Sequence, residues 1–173
     1  VNLGAGVLPV GVPLLILRTL HVNAATVGQV FAVFGLAGLL AGLAVGRLNT
    51  VGRERALILA SSALQVPVLV VFALLPSLPL VFLLAAIAGV SGAAINVGIF
   101  ALRQRRTDPT WFGRAFAVSL SLNYSGAPIG SAISGPIFAR SIPLAMLLGA
   151  VLSLLALPAI YFLIPARGDT PLP

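Results

Sequence analysis

Two uncharged runs, residues 24–45 and 56–75, flank the string GRLNTVGRER (Gly46 to Arg55), which carries three arginines and a glutamate. A helix rises 1.5 Å per residue, so about 20 residues cross the roughly 30 Å hydrocarbon core of a bilayer. Each run has that length. A basic, glycine-punctuated link between two such runs reads as a short turn at a membrane surface.

Composition points the same way. The chain is 60% hydrophobic and 8% charged, whereas a soluble domain carries about 25% charged residues to keep its surface wet. The medium around this chain is therefore expected to be lipid, and the bilayer is its first partner. A net charge of +7 invites a nucleic-acid reading. That reading fails because nucleic-acid binders gather basic residues and stacking aromatics on one solvated face. Here the arginines sit at the ends of apolar runs. There is no cysteine and one histidine, His21, so no thiolate or histidine metal site is expected, and no cofactor. The chain opens on Val1 and enters an apolar run without a charged leader. This reads as a piece of a longer protein rather than as a signal peptide.

Six spans are expected in an all-α, polytopic transmembrane bundle over residues 1–166, with a cytoplasmic tail at 167–173. The first, 3–17, places Asn2, Gly6, Pro9 and Pro13 on one helical face. Its two prolines favour a bend, which lipid tolerates only against protein or a water-lined cavity. The second, 24–45, ends in Gly38, Gly42 and Gly46, small residues that admit a neighbouring backbone. In the third, 56–75, Ser61, Ser62 and Gln65 suggest interhelical hydrogen bonds. The fourth, 80–102, follows a Pro76–Pro79 hairpin and carries Gly89, Gly92 and Asn96 on one face. Asp108-Pro109 reads as a helix start, with a short surface helix expected to run into the fifth span. That span, 115–139, gathers Ser119, Asn123, Gly126, Gly130 and Ser134 within an arc of about 80°. The sixth, 142–164, repeats Ala145, Gly149 and Ser153 at four-residue spacing.

Six spans alternate the loops between two sides. One side receives Arg47, Arg53, Arg55, Arg103, Arg105, Arg106, Arg114 and Arg167; the other receives Arg18 and Arg140. By the positive-inside rule the first side is cytoplasmic, which implies a cell (inner) membrane protein with a cytoplasmic C-terminus. No Asp, Glu, Lys, Arg or His lies inside a span, so no proton relay is expected within this chain. No hydrolase, zinc-protease or nucleotide-loop motif is present, and no enzyme is expected. Proline- and glycine-interrupted spans point instead to a transporter site. A three-plus-three inverted repeat, residues 1–75 and 80–164, also fits the placement of the basic loops.

With these features in place, the chain resembles the C-terminal six-helix half of a major facilitator superfamily transporter, especially a drug or metabolite exporter. Gly46, Leu48, Gly52, Arg53 and Arg55 match, with one deletion, the family's cytoplasmic loop G-x-L-x-D-R-x-G-R-R; the family's aspartate is absent, with Thr50 nearby. Gly113-Arg-Ala and Pro128-Ile-Gly130 are similar to the family's eleventh helix. The resemblance implies secondary active transport by alternating access, with two halves rocking about a central site. It further implies that the first and fourth spans line that site, which makes Asn2, Gly6, Ser91, Asn96 and Asn123 the substrate-binding candidates. Their neutral character suggests a neutral or amphipathic small organic substrate, moved by efflux. The partner would be an N-terminal six-helix half or a second copy of the chain. The alternatives are a complete six-span protein that dimerises into a carrier or channel, and a non-transporting membrane assembly subunit.

Overall fold

A computed structural model describes residues 2–48 and 50–164, whose regular structure is all helical with no strand among them. The helices are α1 (Asn2–Ala5), α2 (Leu8–Leu14), α3 (Ala24–Gly46), α4 (Glu54–Leu74), α5 (Leu78–Arg106), α6 (Phe112–Arg140) and α7 (Ile142–Leu163). A π-helical turn, Leu15–Thr19, extends α2. The expected tail at 167–173, with Arg167, lies outside the described residues. Five segments are long and apolar enough to cross a membrane: Asn2–Thr19, α3, α4, α5 and α7. At 29 residues α6 has the length, but its serines, Asn123, glycines and prolines keep it from matching the apolarity of the other five.

The first span breaks where its prolines require it. Pro9 and Pro13 have no N–H to donate, and each ring crowds the carbonyl four residues back. The helix accordingly stops at Ala5, turns through Gly6 and Val7, restarts at Leu8, and widens into the π-turn after Pro13. A break in lipid must re-pair its backbone. The Ser131 hydroxyl does so by donating to the Gly6 carbonyl at 2.5 Å.

Glycines set how closely the helices approach. A Cβ on Gly126 would lie 2.9 Å from the Asn2 Cβ, and one on Gly130 would collide with the Leu3 carbonyl. So the small stripe of α6 receives the backbone of α1. Gly149 of α7 meets Val7 and the Gly4 carbonyl from the other side. A second seam joins α3 to α5, where Gly38 and Gly89 face each other. The first span therefore packs with α6 and α7, whereas α3 and α4 pack with α5, and the α4–α7 contact joins the two groups. Each of the triples expected from the sequence thus lends its first helix to the other.

Most of the arginines gather at one end, with Arg18 and Arg140 at the other. Glu54 in the first turn of α4 is buried and pairs with Arg105 in the last turn of α5. The Arg55 guanidinium stacks on Tyr161 near the end of α7, 4.0 Å from the ring centroid. The acid at a helix start and the bases at a helix end also suit the helix dipoles. At 107–111 the structure departs from the sequence expectation. No surface helix forms; Asp108 closes an Asx turn by accepting from the Thr110 backbone N–H and hydroxyl at 2.7 and 2.6 Å. The regular helix α6 begins at Phe112, one turn beyond the Asp108-Pro109 start signal.

Candidate functional site

A cavity of about 200 Å³ lies between the first span and helices α3, α4 and α5. The first span contributes Asn2, Ala5, Leu8, Pro9 and Val12; α3 contributes Val30, Phe31 and Phe34. Helix α4 adds Gln65 and Phe72, and α5 adds Ala85, Ala88, Gly92, Ile95 and Asn96. None of these side chains ionises. The polar lining consists of three carboxamides, Asn2, Gln65 and Asn96.

The five candidates from the sequence occupy different settings. Asn2 and Asn96 line the cavity together. Asn2 also donates through Nδ2 to the Asn123 carbonyl at 2.7 Å, whereas Asn123 itself is not among the residues that line the cavity. Gly6 is buried against α6, where a Cβ would strike the Ala127 carbonyl. Ser91 is 1% exposed and donates to the Ala88 carbonyl of its own helix at 3.1 Å. Asn96 borders a second depression as well. That one, of about 320 Å³, reaches toward the arginine-rich end between Gly46, Leu48, Thr50, Phe100 and Gln104.

Sequence reasoning does not single out Gln65 and the three phenylalanines as site residues. The expected interhelical role of Ser62 and Gln65 needs correction: the Ser62 Oγ and Gln65 Oε1 are buried and without hydrogen-bond partners. A polar residue in an uncharged span is the available signal for Gln65. Its direction, toward the cavity, is set by how α4 packs on α5 and α7.

Among the loop-motif positions, Gly46 ends α3 and Leu48 is exposed. Gly52 has φ +72°, a left-handed conformation that glycine adopts without steric cost. Arg53 is the exposed residue before α4, and Arg55 is the one stacked on Tyr161.

The Major Facilitator Superfamily model matches residues 1–172. A curated relative, the "Uncharacterized MFS-type transporter y4rN" of Sinorhizobium fredii, is 34% identical over 142 residues, covering 80% of this chain and 34% of the relative. The chain thus spans about a third of the length of the curated relative it matches. No solved structure matches it. The helical bundle, its membrane-length apolar segments and both sequence comparisons agree: the chain belongs to the Major Facilitator Superfamily.

Proposed function

We propose that this chain forms one six-span half of a secondary active transporter that exports small organic molecules by alternating access. The observation that carries the reading is the carboxamide- and phenylalanine-lined cavity between the broken first span and α3, α4 and α5. A concave, mostly apolar site with a few convergent polar groups is how proteins hold small organic ligands. Helix α6 lays Gly126, Gly130 and Ser131 against the first span, which supports α6 as a membrane span, the fifth in chain order. The packing exchange between helix triples supports an inverted three-plus-three repeat. Of the five apolar segments, helix α3 buries the least of its length within this chain, and a Cβ added to Gly28 or Gly35 would meet nothing within 4 Å beyond its own helix. That open face supports a second six-helix bundle as partner, either a preceding half or another copy. With the arginine-rich end in the cytoplasm of an inner-membrane protein, the depression beside Asn96 is the approach from that side.

The reading is tested by cysteine labelling; residues 1–173 hold no cysteine, and any outside them is replaced first. In membranes carrying the complete open reading frame, Asn2→Cys and Asn96→Cys react with a water-soluble thiol reagent. The buried Ser91→Cys does not. If both asparagine positions stay unlabelled while Arg53→Cys reacts, the cavity is dry packing and the reading fails.

A further inference from the structure

We propose that the central cavity takes an uncharged, ring-bearing molecule with one hydrogen-bond donor, and that Gln65 is the residue that reads the donor. The proposal rests on the transporter reading and narrows its substrate class.

Gln65 lies on α4, lines the cavity and is 6% exposed, yet its Oε1 accepts no hydrogen bond. A buried amide oxygen without a donor is unfavourable, and native proteins keep few of them. Oε1 itself presents almost no surface, so a turn of the terminal amide toward the cavity brings it to an N–H or O–H on a bound molecule, which supplies the missing bond. Charge is selected against by the same walls. An ion entering this cavity loses its hydration and finds no lining residue of opposite charge, a loss that carboxamides do not offset.

The shape and the aromatic content favour a ring. Phe31 and Phe34 approach from α3 and Phe72 from α4, and such side chains bind rings by offset or edge contacts. An apolar cavity of about 150 Å³ accommodates benzene, so about 200 Å³ accommodates a substituted ring. Gln65 then distinguishes rings of equal size by whether they can donate.

The test uses the complete protein in lipid nanodiscs and ¹⁹F NMR of 4-fluorophenol, 4-fluoroanisole and 4-fluorobenzoate, with empty nanodiscs correcting for partition into lipid. We expect 4-fluorophenol to bind about tenfold more tightly than either of the others, the effect of one hydrogen bond to a desolvated group. Gln65→Leu and Gln65→Met should each abolish that preference and leave 4-fluoroanisole within about twofold of its original affinity. Both variants should melt at or above the original temperature, because each removes an unpaired polar atom. Retention of the phenol preference in both variants, tightest binding by the benzoate, or no phenol binding at all overturns the proposal. Flux of labelled phenol into proteoliposomes separates this from the broader reading. Binding through Gln65 without flux overturns transport and leaves the site. Flux with the preference intact in Gln65→Leu overturns the site and leaves transport.

Discussion

Replacing Gly130 by alanine tests whether the broken first span is docked on α6 as described. A Cβ at Gly130 would lie 2.9 Å from the Leu3 carbonyl carbon and closer still to its oxygen. Both are backbone atoms, so no rotamer change relieves the clash and α1 must retreat. Overpacking of this kind costs about 1–3 kcal/mol. Retreat also stretches two cross-helix hydrogen bonds, Asn2 Nδ2 to the Asn123 carbonyl and Ser131 Oγ to the Gly6 carbonyl, each contributing about 1 kcal/mol net. Alanine recovers roughly 0.5–1 kcal/mol of backbone entropy within a helix. The balance is a destabilisation of about 2–4 kcal/mol. Gly135 is the internal control, on the same helix with no atom within 4 Å of the methyl that alanine would add. There only the entropy term acts, and alanine should stabilise by about 0.5–1 kcal/mol. The assay is equilibrium unfolding of the complete protein in mixed dodecyl maltoside and SDS micelles, followed by circular dichroism. Opposite signs at the two glycines are expected. Equal effects would refute the docking of α1 on α6, and with it the placement of Asn2 in the cavity wall.

The Glu54–Arg105 pair should respond asymmetrically to mutation, because the Glu54 side chain is 6% exposed and that of Arg105 is 39% exposed. Arg105→Gln strands a buried carboxylate and should destabilise by about 2 kcal/mol, discounted from the fully buried case for solvent screening. Glu54→Gln leaves an arginine that reaches water and should cost about half as much; thermal melts of the two variants check the order, and a reversed order contradicts the burial. The Asp108 carboxyl is held below its ordinary value of 3.8 by the Thr110 hydroxyl and then the Thr110 N–H. A carboxylate with a lowered folded pKa stabilises its turn fully above the unfolded value and loses that contribution as pH falls through the folded one. The Thr110 amide resonance should therefore hold its position as pH drops to about 4 and move only in more acid solution, whereas in Asp108→Asn it should not titrate.

Spans and turns are legible in the sequence because lipid makes the same demand everywhere: no charge across about 20 residues, then arginines and glycines. Pro9 and Pro13 announce the broken first span for an equally local reason, since a missing N–H acts on its own helix. The α6 stripe is legible because small and polar residues at helical spacing must face protein. The direction in which a single polar residue points is not. Helix periodicity gives relative angles, and in a membrane the outward face is as apolar as the inward one, so the hydrophobic stripe that orients a soluble helix is missing. Ser91 and Asn96 lie on one helix within five residues of each other, yet one is sealed against its own backbone and the other borders two depressions. Adjacency groups Gln65 with Ser61 and Ser62, and only the packing of α4 between α5 and α7 directs it to the cavity.

Polar atoms decide more in such a chain than they do in a soluble protein. Ser91 and Ser134 donate to carbonyls of their own helices at 3.1 Å, the local solution open to any serine in a span. Asn2 and Ser131 form cross-helix bonds, both at the seam between the first span and α6 where the proline break exposes backbone. Among the described residues four buried side-chain atoms then stand without partners: Ser62 Oγ, Ser153 Oγ, Arg103 Nη1 and Gln65 Oε1. Arg103 belongs to the arginine-rich end, in the last turn of α5. The two serines are absent from the cavity wall, and Ser153 lies against Gly4 where α7 meets the first span. Gln65 Oε1 alone of the four belongs to a residue that lines the cavity. A leucine of similar size would pack that position without an unpaired oxygen, and on the proposal above the glutamine finds its partner in a molecule that enters the cavity and donates to it.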